Sequence, residues 1–175
     1  VDHPTPVVLP PLTLVLGGQR SGKSAYAENL IGEAPAVYLA TGEARDAEMS
    51  DRIARHRQRR GDRWTAVEEP LDVAAALGRL EQTGHPVLLD SLGMWVANLL
   101  GSGKNVARET AGLIKTVKNL TCSLVIVSDE AGLGIIPDNA LARKYLDALG
   151  AANQAIAAAA DSVILVAAGL PLKLK

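Results

Sequence analysis

The sequence predicts an α/β fold: a mostly parallel sheet with helices packed on both faces. Three observations carry this reading. The apolar runs AVYLA (36–40), PVLLD (86–90), SLVIVS (123–128) and VILVAA (163–168) are unbroken rather than alternating, the pattern of strands buried on both sides. Helix-like stretches separate these runs, so strand and helix alternate along the chain. A glycine-rich turn joins the first strand to the first helix, and in such sheets ligands bind at the C-terminal ends of the strands. Parallel pairing also requires right-handed crossovers.

The elements are expected in the following order. Val1–Pro11 holds four prolines and reads as a loose lead-in to a single domain covering residues 1–175. A strand from Thr13 runs into the glycine-rich turn, and a helix follows over Ser24–Ile31. Ala36–Ala40 is a buried strand ending in Thr41-Gly42. Ala44–Arg60 reads as a helix with one strongly polar side, and Trp64–Glu68 as a short strand stopped by Pro70. Leu71–Leu80 is rich in Ala and Leu and helical. Pro86–Asp90 is a strand with an acid at its tip. Ser91 is a suitable N-cap for a helix reaching Leu100. After the break at Gly101–Lys104 come a helix (Val106–Leu120) and a strand (Ser123–Ser128). A glycine-containing loop (Asp129–Pro137) leads to a long Ala-rich helix (Asn139–Ala160), with Gly150 a point where it can break. Val163–Ala168 and Leu170–Leu174 close the chain as strands around Gly169.

Composition narrows the class. The chain has 175 residues, enough for one domain with a substantial core. Hydrophobic residues make up 48%, but aromatics only 3% and Phe is absent, so the core must be built from Ala, Val, Leu and Ile. A net charge of −1 supplies no global field toward nucleic acid or membranes. The lone Cys122 excludes an internal disulfide framework and a cysteine zinc site, and its place in an apolar run reads as core packing. No run of about 18 apolar residues exists, so no membrane span is expected, and no signal peptide is evident. The cytoplasm is the expected location.

The turn after the first strand reads Gly17-Gly18-Gln19-Arg20-Ser21-Gly22-Lys23-Ser24. This is G-x-x-x-x-G-K-S, the phosphate-binding loop of P-loop proteins, in its required strand–loop–helix context. Gly17 and Gly22 permit backbone geometry and close approach that a side chain would block. The loop amides then form an anion-binding concavity. Lys23 can reach the β- and γ-phosphates, and the Ser24 hydroxyl can ligate Mg²⁺. The following helix puts its positive dipole end behind the phosphates. The bland alternative is a glycine turn with no ligand, and the strand and helix on either side argue against it. Asp90, at the tip of a buried strand, has the form of the second P-loop signature, which holds Mg²⁺ directly or through water; a capping role is its alternative.

Arg52–Arg60, RIARHRQRR, is the second constellation. In a helix Arg52, Arg55, His56, Arg59 and Arg60 share one face. Such a stripe is either a solvated basic surface or a polyphosphate-facing one with His56 as a reactive group. Neighbouring cations disfavour protonation of imidazole, and a neutral histidine can attack phosphorus and carry the transferred group covalently. His3 and His85 read as a terminal and a surface-turn residue.

With these pieces in view, the sequence resembles the bifunctional adenosylcobinamide kinase / adenosylcobinamide-phosphate guanylyltransferases of cobalamin biosynthesis. The resemblance runs from Thr13 to Lys175. It is carried by GGQRSGKS (17–24), YLATG (38–42), the spaced pattern from Asp46 to Pro70, LLDSLGMWVANLL (88–100), the stretch 127–161 and the ending VAAGLPLKLK. It implies a recombinase-like P-loop fold and two reactions. A nucleoside triphosphate (ATP or GTP) phosphorylates adenosylcobinamide. GTP then donates GMP to that phosphate through a GMP-histidine intermediate, giving adenosylcobinamide-GDP and pyrophosphate. The resemblance makes His56 the histidine, Lys23 its catalytic companion at the loop, and Mg²⁺ the cofactor. It implies nucleotide contacts from Gly17–Ser24, from Leu39, Ala40 and Thr41, from Arg57, Gln58, Arg59 and Arg60, and from Glu68 and Asp90. It implies a homotrimer, with the corrinoid and the nucleotides as its small-molecule partners. Two positions depart from the family pattern: Asp129 stands where Asn is expected, and Gly93 where Thr is common.

The chemistry suits such residues, because a triphosphate transition state needs charge compensation above all. Splitting guanylyl transfer into two steps lets one site serve a bulky acceptor after pyrophosphate leaves. Two rival readings remain open at this level: an ordinary small-molecule P-loop kinase with His56 incidental, and a nucleotide-dependent switch ATPase. The near-neutral charge and scarcity of stacking aromatics speak against nucleic-acid binding.

Overall fold

The structure, a computed structural model, describes residues 9–42 and 61–175. In order these form β1 (Leu12–Gly17), α1 (Lys23–Ile31), β2 (Ala36–Ala40), β3 (Trp64–Glu68), α2 (Val73–Leu80), a 3₁₀ turn (Glu81–Thr83), β4 (Val87–Asp90), α3 (Leu92–Gly101), α4 (Val106–Val117), β5 (Leu124–Asp129), α5 (Ala140–Ala159), β6 (Ser162–Ala167) and β7 (Leu170–Lys173). The strands make one seven-stranded sheet in the order β3-β2-β4-β5-β1-β6-β7. All pairings are parallel except the last, where β7 folds back antiparallel on β6. The fold class expected from the sequence is the one observed.

The central strands are buried on both faces, which is why their sequences read as continuous apolar runs. Leu12, Leu14, Leu16, Leu89, Leu124 and Ile126 face one side, with Trp95, Leu99, Leu113, Leu149 and Ile156 of the helices. Val15, Tyr38, Leu88, Val125, Val127 and Val166 face the other, with Ala27 and Ile31 of α1. Among the described residues four helices (α2–α5) therefore cover one face and α1 the other. Each fully buried Leu or Val contributes roughly 1.5–3 kcal/mol, so absence of Phe leaves no deficit. Trp95, 1% exposed, is the largest side chain in the core, and its indole N–H donates to Leu71 O at 2.8 Å. That bond satisfies the one polar atom the ring brings inside.

The helix boundaries have local causes. Ser91 Oγ accepts from Met94 N, Asn105 Oδ1 from Arg108 N, and Asn139 Oδ1 from Leu141 N and Ala142 N, so α3, α4 and α5 each carry a side-chain N-cap. Helix α5 runs through Gly150 without a break. Leu149, Ala152 and Asn153 around it are buried, and tertiary packing offsets the weak helix propensity of one glycine. The stretch before β1 is tied down: Leu124 N donates to Pro11 O, and Ser123 Oγ to Leu9 O. On the far edge Arg63 stacks over Trp64 with 4.7 Å from its guanidinium carbon to the ring centroid, and Arg63 Nη1 donates to Gly32 O. Cys122 is buried, and burial raises its thiol pKa. No helix among the described residues is long and apolar enough to cross a membrane. The helix expected over Ala44–Arg60 lies outside the described residues.

Candidate functional site

The phosphate loop leaves β1 at Gly17 and enters α1 at Lys23. Two of its glycines, Gly17 and Gly22, are sterically required. A Cβ on Gly17 would lie 2.3 Å from Ser21 Oγ and 2.7 Å from Val166 O. Gly22 has φ 94°, and a Cβ there would come 3.2 Å from Gly169 Cα. The loop closes on itself through Ser21 N to Gly18 O at 3.2 Å and Lys23 N to Ser21 Oγ at 3.3 Å. A brace comes from elsewhere in the chain: Gly169 N, in the β6–β7 turn, donates to Ser21 O at 2.8 Å. The N-cap of α1, Gly22, offers no side chain, and of the leading amides Lys23 N is engaged by Ser21 Oγ. The following amides and the helix dipole face an incoming anion. Gly18, Gln19 and Arg20 are exposed on the outer side of the loop, with Arg20 in the left-handed region at φ 57°.

Lys23 is buried, and its ammonium has two acceptors: Asp129 Oδ1 at 2.7 Å and Gly18 O at 3.1 Å. Asp129 ends β5, and its register partner is Gly17 at the end of β1, so the sheet itself places carboxylate and loop side by side. Its backbone carbonyl accepts from Asn153 Nδ2 at 3.1 Å, and Asn153 Oδ1 accepts from Ser128 Oγ at 2.6 Å. Its other carboxylate oxygen faces Gly93, where a Cβ would meet Oδ2 at 2.8 Å and the Tyr145 hydroxyl oxygen at 2.9 Å. Burial first, and then the Asp129 charge, push the Tyr145 phenol up to about 12.

One register row crosses the neighbouring strands at the same end of the sheet: Glu68, Ala40 and Asp90 lie side by side. Asp90 Oδ2 accepts from the Tyr38 hydroxyl at 2.8 Å, and Glu68 is exposed. Leu39 and Thr41 are fully buried. The Thr41 hydroxyl donates to Ser91 O at 2.7 Å and accepts from Ser91 N at 3.0 Å, while Asn98 Nδ2 donates to Thr41 O at 2.8 Å and Pro70 O at 3.1 Å. Side chains of Leu39 and Thr41 thus serve packing and the backbone around Asp90. The Asp90–Ser91 peptide is cis.

The structure brings Gly17–Ser24, Leu39–Thr41, Glu68 and Asp90 to one end of the sheet. His56, Arg57, Gln58, Arg59 and Arg60 lie outside the described residues. The pairing of Lys23 with Asp129 has no local sequence signal, since the partners lie on different elements; only the position of Asp129 at a strand tip points to it. The Tyr38–Asp90 bond is hidden in the same way.

The donor chemistry fits Mg²⁺. Ser24, in the first turn of α1, and Asp90 offer hard oxygens, and Asp90 Oδ1 has no partner among the described residues. No group of three or more His, Cys, Asp or Glu among the described residues is arranged to hold a metal. One or two protein oxygens beside substrate phosphates and water are the usual ligands of Mg²⁺.

The chain is 42% identical over 166 residues to the bifunctional adenosylcobalamin biosynthesis protein CobP of Pseudomonas aeruginosa, covering 93% of this chain and 96% of that protein. It is 37% identical over 180 residues to the bifunctional adenosylcobalamin biosynthesis protein CobU of Escherichia coli, covering 94% and 99%. The same figures, 37% over 180 residues, hold for CobU of Salmonella typhimurium. Among solved structures, the P4 protein of bacteriophage phi6 in complex with ADP superimposes with a TM-score of 0.53 at 20% identity. It matches 98% of this chain, which spans 56% of the P4 chain, and shows a shared fold alone. The profile of the family described as cobinamide kinase / cobinamide phosphate guanyltransferase matches residues 13–174, so the chain belongs to that family.

Proposed function

We propose that this chain performs both activities of its family, phosphorylating adenosylcobinamide with a nucleoside triphosphate and then transferring GMP from GTP to the adenosylcobinamide phosphate. The observation that carries the proposal is a complete phosphate loop, with buried Lys23 at the N-terminus of α1, in a chain matched to the family over residues 13–174. Neither rival from the residues, the ordinary kinase or the switch ATPase, is favoured by that membership.

In the kinase step the loop amides and Lys23 hold the β- and γ-phosphates in line with the acceptor hydroxyl. The acceptor oxygen bonds to the γ-phosphorus as the bridging P–O bond breaks and the nucleoside diphosphate leaves. When bound, Mg²⁺ supplies charge neutralisation beside Ser24 and Asp90. In the guanylyl step His56 attacks the α-phosphorus of GTP and pyrophosphate departs. The phosphate of the acceptor then takes the GMP and frees the histidine. Arg57, Arg59 and Arg60 compensate phosphate charge next to His56, Gln58 adds a hydrogen-bonding group, and Glu68, Ala40 and Asp90 form the nucleotide-facing row of the sheet. GTP and ATP are both read as phosphate donors.

A homotrimer is the proposed assembly. Two apolar regions support burial by further copies: Leu133, Ile135 and Ile136 in the β5–α5 loop, and Leu170, Leu172 and Leu174 along β7 and just beyond it, all more than half exposed. The cytoplasm, where nucleoside triphosphates are abundant, is the proposed location.

The test is intact-mass analysis after incubation with Mg²⁺ and GTP, beside His56→Ala. An acid-labile GMP adduct in the parent protein and none in the variant is expected. An unmodified parent protein would remove the covalent step.

A further inference from the structure

We propose that Asp129 is a specificity-determining residue of the phosphate loop, whose fixed negative charge makes the loop select cation-complexed triphosphates over bare ones. The inference rests on the reading of Gly17–Ser24 as the triphosphate site.

Lys23 is the loop's phosphate-binding cation, and it is already engaged: Asp129 Oδ1 lies 2.7 Å from Nζ, with Lys23 only 8% exposed. An arriving phosphate must share that ammonium or displace the carboxylate. Charge-assisted bonds of about 2.8 Å at a tetrahedral nitrogen put two acceptors about 4.5 Å apart. A phosphate oxygen bound to Lys23 therefore sits close to the Asp129 carboxylate in a partly desolvated place, where like charges repel strongly.

The backbone that carries the carboxylate is fixed, while the side chain itself is 32% exposed. Its residue is the last of β5 and in register with Gly17. Asn153 holds its backbone carbonyl. Its Oδ2 fills the space over Gly93, shared with the Tyr145 hydroxyl, that any larger residue at 93 would occupy. Gly93 thus makes room for a carboxylate that a Cβ would push away.

A fixed anion penalises ligands in proportion to their charge. A bare triphosphate carries about four negative charges at neutral pH and its Mg²⁺ complex about two. Asp129 weakens binding of the first far more than the second. The loop is thereby kept from filling with nucleotide that lacks the cation both transfer steps use.

The test is isothermal titration of the full chain with the guanosine triphosphate analogue carrying a methylene between its α- and β-phosphates, which cannot transfer GMP. Titrations are run with excess Mg²⁺ and with EDTA, on the parent protein and on Asp129→Asn, an isosteric change that removes the charge. Circular dichroism of each variant confirms folding. The expected result is about tenfold or more tighter binding in EDTA for Asp129→Asn, with the Mg²⁺-complex affinity changed less than about threefold. Gly93→Ala, which pushes the carboxylate off its seat, is expected to move the EDTA affinity the same way by a smaller factor. An unchanged ratio of EDTA to Mg²⁺ dissociation constants in Asp129→Asn overturns the proposal. So does a loss of Mg²⁺-complex affinity in that variant, which would make Asp129 a ligand of the cation. Absence of binding by the parent protein with Mg²⁺ would instead overturn the reading of the loop itself.

Discussion

Thr41→Val tests whether the backbone around Asp90 is held by one hydroxyl. The substitution is nearly isosteric and Thr41 is 0% exposed, so neither cavity nor clash is introduced. What changes is hydrogen bonding. Ser91 O keeps a second donor, Trp95 N at 3.1 Å. Ser91 N loses its acceptor, Thr41 Oγ1 at 3.0 Å, in a residue only 7% exposed. Stranding one buried donor costs about 1–3 kcal/mol. A destabilisation of about 2 kcal/mol is therefore expected, a fall in urea midpoint of about 1 M for a typical slope near 2 kcal/mol per molar. Thr41→Ser keeps the hydroxyl and should lose less than half as much. Nucleotide affinity with Mg²⁺ should fall in the valine variant, because Ser91 directly follows Asp90. Urea unfolding of the valine variant within 0.5 kcal/mol of the parent would refute the reasoning.

Three further outcomes are expected. Gly17→Ala brings a Cβ to 2.7 Å from the Val166 carbonyl, backbone that cannot swing aside; the loop must shift, and titration should show nucleotide binding weakened by about tenfold or more, against about 1–3 kcal/mol in stability. Trp95→Phe strands Leu71 O and leaves a void, which should cost about 2–3 kcal/mol by urea unfolding. Tyr145 keeps its proton in the folded state up to about 12, above the ordinary phenol value near 10. The folded state therefore holds more protons between those values, so its contribution is complete below about pH 10 and is lost as pH rises through about 12. Tyr145→Phe should flatten the alkaline limb of a stability–pH curve.

What was legible in the sequence was local. Gly17–Ser24 declared itself because its glycines, lysine and serine are contiguous. The strands declared themselves because parallel strands buried on both sides leave no polar alternation, as in Val87–Leu89 and Leu124–Val127. The Ser91 cap was readable for the same reason. What was hidden depended on strand order. Insertion of β5 between β1 and β4 sets Asp129 against Gly17 and Lys23, and nothing in the residues around 129 announces it. The bonds of the Thr41 hydroxyl to Ser91 were hidden likewise, because the two residues lie on different elements. Gly150 looked like a break because propensity is local, while burial of Leu149 and Ala152 is not.

The brace from Gly169 to Ser21 has a consequence for how the protein comes into being. Synthesis runs from the N-terminus, so the ribosome releases the phosphate loop long before it makes the β6–β7 turn that props it. The neighbouring strands β5 and β6, which flank β1 on either side, also arrive late. A nascent chain therefore emerges with its nucleotide-binding element unassembled. Nucleotide bound to the assembled loop would then stabilise the finished molecule by mass action.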